Sequence, residues 1–147
     1  MTERFPETSP HGPPLVGSLL RMPWETLRGR QLEGLHGRGF TDLHPAHLTV
    51  FQYPGPGGMR PLDLAARTRM SKQAMNHLLG QLERLGYVTR RADPEDQRYT
   101  RVDLTPRGEE VIHAIREIIL EVEAEWEGKV GRTRFTQLKR LLAELAV

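Results

Sequence analysis

Between Pro61 and Thr105 the spacing of the apolar residues changes once, and that change constrains the fold more than any other feature. Before it, "PLDLAAR" opens on a proline, which suits a first helical turn, and reads as a short helix over Pro61 to Arg67. A turn at Thr68 to Met70 leads to Ser71, whose side chain can cap the start of a second helix. Gly86 should end that helix, because glycine takes the left-handed backbone that stops helices at no steric cost. Beyond Gly86, "YVTRR" and "YTRVDL" are β-branched and aromatic runs that nearly alternate, joined by "ADPEDQR", whose proline and aspartates favour a turn. Helix, short turn, capped helix and basic hairpin make a helix-turn-helix with a wing.

The rest of the chain reads as helix. Residues 1–13 are proline-rich and are expected to be a disordered tail. From Pro14 to Leu35, the residues Val16, Leu20, Trp24, Leu27, Gln31 and Leu35 follow a helical stripe with one polar member, and Pro23 is expected to kink or break it. A further helix should start at Pro45 and run to about Tyr53, before "PGPGG" at 54–58 forces a loop. Histidine caps poorly, so His44 leaves that helix end frayed or has another job.

Thr105 and Pro106 form a cap and first-turn pair. After them Val111, Ile112, Ile115, Ile118, Ile119, Val122 and Trp126 share one face of a long helix ending near Gly128. A last helix carries Phe135, Leu138, Leu141, Leu142 and Leu145. These two helices hold more apolar surface than a small lobe can cover, which predicts a homodimer built from the chain ends. The expected fold is mainly α with a small β-hairpin wing. Its divisions are a tail (1–13), a first dimerisation helix and linker (14–43), a winged helix-turn-helix lobe (44–104) and C-terminal dimerisation helices (105–147).

Several function classes fall away. The chain has no cysteine, so disulfides and thiolate metal sites are excluded. No apolar run approaches the roughly 20 residues that span a bilayer, and the start lacks a signal-peptide pattern, which together predict a cytoplasmic protein with no membrane partner. There is no nucleophile elbow, no glycine-rich phosphate loop after a strand and no HExxH, and Glu109, Glu110, Glu117, Glu121, Glu123 and Glu125 fall mostly on the solvated face of the long helix. An enzyme is therefore not expected, nor a resident cofactor or metal. His36, His44 and His47 keep a metal-responsive regulator open as an alternative, since histidines at i, i+3 can share a ligand face.

Charge is distributed unevenly. Arg60 to Arg101 holds nine Lys/Arg against five Asp/Glu, whereas Thr105 to Glu127 holds two against seven. In the helix after Ser71, Ala74, Leu78, Leu82 and Leu85, with Met75 and Leu79, form the buried side, leaving Lys72, Gln73, Asn76, His77, Gln81 and Arg84 outside. Glutamine and asparagine can pair bidentately with adenine, and lysine reaches guanine or phosphate. Arginines on the hairpin could enter a neighbouring minor groove, while Arg90, Arg91 and Arg101 line up on phosphates. A winged helix that binds protein instead would lack the steep salt dependence of phosphate contacts.

"LHPAHLTVFQY", "RPLDLAARTRMSKQAMNHLLGQLERLGYVTRR" and above all "DPEDQRYTRVDLTPRGEEVI" resemble the MarR (multiple antibiotic resistance regulator) family of winged-helix transcription factors, over roughly residues 14–145. The wing signature of that family matches Asp96, Gln97, Arg98, Leu104, Thr105 and Gly108. The resemblance implies a triangular homodimer and a ligand-responsive repressor that binds a palindromic operator in double-stranded DNA. The polar outer face of the capped helix is expected to put Ser71, Lys72, Gln73, Asn76, His77 and Arg84 at the major groove, and the resemblance implies Arg98 in the minor groove, oriented by Asp96. It also implies a small aromatic or phenolic effector between the first, second and long fifth helices, with Arg21, Trp24, His47 and Phe51 as candidates. Gly80 departs from helix preference at a cost of about 1 kcal/mol against alanine, for close packing, for approach to a sugar–phosphate backbone, or with no particular importance.

Overall fold

The computed structural model describes residues 10–52 and 58–146. Residues 1–9 of the expected tail, Tyr53, and Pro54 to Gly57 of the glycine–proline loop lie outside the described residues. The elements are α1 (Val16–Gly37), α2 (Pro45–Leu48), α3 (Pro61–Thr68), α4 (Lys72–Arg84), β1 (Val88–Ala92), β2 (Thr100–Leu104), α5 (Pro106–Val130) and α6 (Arg132–Leu145). This is a mainly helical fold with an antiparallel hairpin wing.

Local chemistry sets most of the boundaries. The Ser71 hydroxyl accepts from the Ala74 N–H at 3.1 Å and starts α4, and the Thr105 hydroxyl accepts from the Gly108 N–H at 3.1 Å and starts α5. Gly86, at φ +85°, turns the chain from α4 into β1. Between α3 and α4 the left-handed residue is Arg69, at φ +55°, a position that pattern reading assigns only to an ordinary turn.

The structure corrects or refines four expectations. Pro23 does not break α1; it sits on an exposed part of the helix, where the carbonyl it deprives of a partner can turn to water. α2 closes after one turn rather than reaching Tyr53, because Leu48, Val50 and Phe51 are all buried and no single helical face can bury all three. α5 runs through Gly128 and stops at Gly131, whose φ of +90° is what requires glycine. On α1, the outer stripe residues Val16, Leu20 and Trp24 are exposed, and burial begins at Gln31 and Leu35.

The core lies where α3, α4 and the hairpin meet α1, α2 and α5. Met75, Leu78, Leu79 and Leu82 of α4 are buried, while Ala74 and Leu85 are only half-buried. Tyr87 is fully buried with Phe40 and Phe51 rings each 6.3 Å away, and its hydroxyl donates to Asp42. Burial first, and that bond second, push its pKa up to about 12.

The inner stripe of α5 is Gly108, Val111, Ala114, Ile118 and Val122, and most of it is covered by α1 of the same chain rather than left for a partner. Gly34 permits this crossing, because a β-carbon there would lie 2.7 Å from Ile118 Cδ1. The acidic arm lies mostly on the exposed face of α5, as expected, and some of its carboxylates meet bases there. Glu125 takes a bidentate bond from Arg30 at 2.8 Å, and Glu121 pairs with Arg38 at 3.0 Å. Glu123 holds Lys139 of α6 at 2.8 Å. Arg30, Gly34 and Arg38 lie on successive turns of α1, so the charges flank the close contact and set its register.

Gly80 answers to neither packing nor backbone strain. A β-carbon there would meet only Arg84 Nη1 at 3.5 Å and Arg90 Nη2 at 3.6 Å, ordinary contacts with flexible side chains. Gly80→Ala is expected to raise stability by about 1 kcal/mol through helix propensity, read as a higher urea midpoint at unchanged slope. A lower midpoint would refute the assignment.

Candidate nucleic-acid interface

Ser71, Lys72, Gln73, His77 and Arg84 are exposed along α4, and Asn76 is half-buried beside them. Gln81, expected outside, is turned inward. Its amide meets His47 Nε2 at 2.8 Å and His77 Nε2 at 3.1 Å, bridging α2 and α4. His44 also has its job: its backbone N–H donates to His47 Nδ1 at 3.0 Å, so His47 closes the start of α2.

β1 and β2 pair in a register that sets Arg90 opposite Val102 and Arg91 opposite Arg101. Because strand side chains alternate between faces, Arg90 shares the inner face with buried Val88 and Val102. It donates to the Asn76 carbonyl at 3.1 Å and lies 3.9 Å from Glu83, so it ties the wing to α4 instead of standing free for phosphate. Arg91 and Arg101 face each other on the outer side, where two like charges would repel. Each is answered by an acid. Asp103 takes Arg91, and Asp93 takes Arg101 at 3.0 Å. Arg101 also donates to the Gly58 carbonyl at 2.8 Å, so of the three expected phosphate arginines only Arg91 remains half-exposed.

Asp93 organises the base of the wing, a role that turn chemistry alone does not suggest. It is fully buried, and the Arg60 guanidinium donates to it at 2.8 Å. The Glu95 backbone N–H, opposed by desolvation and helped by Arg60 and Arg101, holds its carboxyl down at about 2, so it stays ionised. Arg60 in turn lies 4.4 Å from the centre of the Tyr99 ring, which fastens α3 to the hairpin. A single bridge from Met59 to Val102 adds backbone to the same junction.

Beyond this knot the tip is different. Arg98 Nε and Nη2 donate to the two oxygens of Asp96 at 3.0 and 2.8 Å, and the Arg98 backbone N–H donates to the same carboxylate at 3.1 Å. Those bonds hold the Asp96 carboxyl below its ordinary range. The Arg98 side chain is nonetheless 82% exposed. A guanidinium in one fixed orientation at the end of a hairpin is suited to entering a narrow, negatively charged groove.

The four effector candidates do not form one site. Trp24 and Phe51 line a cavity of about 210 Å³ with Leu27, Gln31, Leu48, Gln52, Ile115 and Ile119. His47 is buried against Gln81 and is not part of the lining, and Arg21 is exposed, 3.7 Å from Glu25. Among the described residues no group of three His, Asp or Glu side chains could hold a metal ion, and His36 bonds the Leu43 carbonyl at 2.8 Å.

The sequence profile described as MarR family matches residues 41–98, from the turn before α2 to the wing tip. The HTH-type transcriptional regulator FarR of Neisseria gonorrhoeae is 36% identical over 84 residues, 57% of this chain and 58% of that protein's length. The crystal structure of MarR superposes with a TM-score of 0.71 at 25% identity, covering 90% of this chain and 91% of that one. The transcriptional repressor CouR, bound to a 23-mer DNA duplex, has the same fold with a TM-score of 0.71 at 21% identity, covering 90% and 93%. The wing motif, the profile matched over residues 41–98 and a fold shared with MarR over nine-tenths of the chain make this protein similar to the MarR family of winged-helix proteins.

Proposed function

We propose that the protein is a transcription regulator that binds double-stranded DNA as a homodimer, with α4 in the major groove and Arg98 in the minor groove. The observation that carries this reading is the wing tip, where Asp96 orients Arg98 while leaving it exposed. CouR, a transcriptional repressor that shares the fold, is bound to a 23-mer DNA duplex in its structure, which supports duplex DNA as the partner. An enzyme reading has no comparable support, since the relative and the neighbours are named as regulators.

The dimer reading rests on an apolar groove of about 790 Å³ between α1, α5 and α6, lined by Leu20, Met22, Trp24, Trp126, Phe135 and Leu138 among others. Leu141 and Leu145 of α6 are also exposed. A contiguous patch of this kind is unfavourable on a monomer. Two-fold symmetry would present two copies of α4 to a palindromic operator. The cavity lined by Trp24, Gln31 and Phe51 would take a small aromatic effector, making the protein a ligand-responsive repressor.

Light scattering combined with a salt titration of operator binding tests this. The expected result is a dimer whose affinity falls steeply with salt. A folded monomer of 16.8 kDa that binds the operator would refute the dimer, and salt-independent binding would refute the phosphate contacts.

A further inference from the structure

We propose that the buried imidazole of His47, acting through Gln81, holds His77 in the tautomer with its proton on Nδ1, so that α4 offers DNA a one-way hydrogen-bond donor at that position. The inference rests on the reading that α4 faces DNA.

One group in this relay cannot change role. The His44 backbone N–H can only donate, and its partner is His47 Nδ1 at 3.0 Å. Nδ1 of His47 must therefore be the unprotonated nitrogen, and in a neutral ring the proton sits on Nε2. Nε2 must then donate to the Gln81 oxygen, 2.8 Å away. This fixes the amide. Its other end, the NH2 group, points at His77 Nε2 at 3.1 Å, which has to accept. His77 is left with its proton on Nδ1.

Two features make the polarity matter. His47 is 2% exposed and both its ring nitrogens are used, so the relay is anchored in the interior. His77 is exposed on the outer face of α4, one turn beyond Gln73, and no protein acceptor meets its Nδ1 among the described residues. An unheld histidine can switch between donor and acceptor, whereas this one can only donate. A donor there favours guanine, whose N7 and O6 are both acceptors, and disfavours cytosine, whose N4 amino group is itself a donor. His47 and Gln81 are positioning residues in this scheme, and His77 is the reader.

Gln81→Glu tests it in the full-length chain. Glutamate keeps the length of the side chain and still accepts from His47 Nε2, but its second oxygen accepts as well, so His77 must carry its proton on Nε2. Nitrogen-15 spectra of the histidine rings, and the operator selection with them, are taken at a pH where His77 is neutral in both proteins; they should show His77 protonated on Nδ1 in the parent and on Nε2 in Gln81→Glu. Operator selection should show about tenfold preference for guanine over cytosine at one position per half-site in the parent. That preference should vanish in both Gln81→Glu and His77→Ala. The added charge weakens all sequences alike, so the ratio isolates the reading. A parent spectrum with His77 protonated on Nε2 overturns the relay, and an unchanged base preference in Gln81→Glu overturns the reading role. Absence of any selective DNA binding by the parent fails the proposed function and the reading role together, while the ring-nitrogen spectrum still decides the relay.

Discussion

Gly108→Ala is expected to cost at least about 3 kcal/mol, the upper range for forcing an atom into a packed interior. A β-carbon at this position would lie 2.2 Å from the Tyr87 carbonyl oxygen and 3.0 Å from Leu104 Cδ2. The oxygen cannot retreat, because it already accepts the Thr105 N–H at 3.0 Å. Thr105 is held in turn, its hydroxyl donating to the Gly86 carbonyl at 2.6 Å while accepting from Gly108 itself. The first turn of α5 is thus pinned to the end of β2 and to the α4–β1 turn. Alanine's better helix propensity returns about 1 kcal/mol, which is too little to offset a backbone clash. For a chain of this size the net loss lowers the melting temperature by roughly 10 °C. Circular dichroism on heating measures it, and a midpoint within a degree or two of the parent would mean that α5 does not pack on Tyr87 as described. The same geometry gives a physical reason for the glycine in the wing signature.

The second large effect is at the wing tip. Arg98→Ala should weaken binding to an A·T-flanked operator by tenfold or more and lower the salt slope by about 1, whereas Arg84→Ala should do less. Asp96→Asn separates two accounts of the wing. If the tip is only a basic patch, removing a negative charge tightens binding. If Asp96 orients Arg98, the amide puts an NH2 group where a carboxylate oxygen met the guanidinium, the fork is lost, and binding weakens. Weakening is the expected result. Tighter binding by Asp96→Asn at fixed salt would reduce the wing to a basic patch.

Local chemistry made much of this protein legible in its sequence. Ser71, Gly86 and Thr105 act within a few residues of themselves, so the starts and stops of α4, the hairpin and α5 follow from residue type and spacing. The Asp96–Arg98 pair was readable for the same reason, since a two-residue separation brings the groups together whatever the rest of the chain does. Arginines farther along the wing were not. That Arg90 turns to the Asn76 carbonyl and Arg101 to buried Asp93 depends on strand register and on Arg60 arriving from α3, 33 residues before Asp93. The same holds for the long acidic helix. Its pattern shows an amphipathic face, but only the packed structure decides that α1 of the same chain covers the inner stripe and that Arg30 and Arg38 take its carboxylates. Gln81 illustrates the limit most clearly: its spacing puts it near the polar side of α4, and only the approach of His47 from α2 turns it inward. Sequence alone determined what neighbours along the chain can settle through hydrogen bonds and backbone preference. Tertiary structure decided which distant charge or amide each polar side chain meets, because those meetings depend on how helices cross rather than on what any one helix prefers.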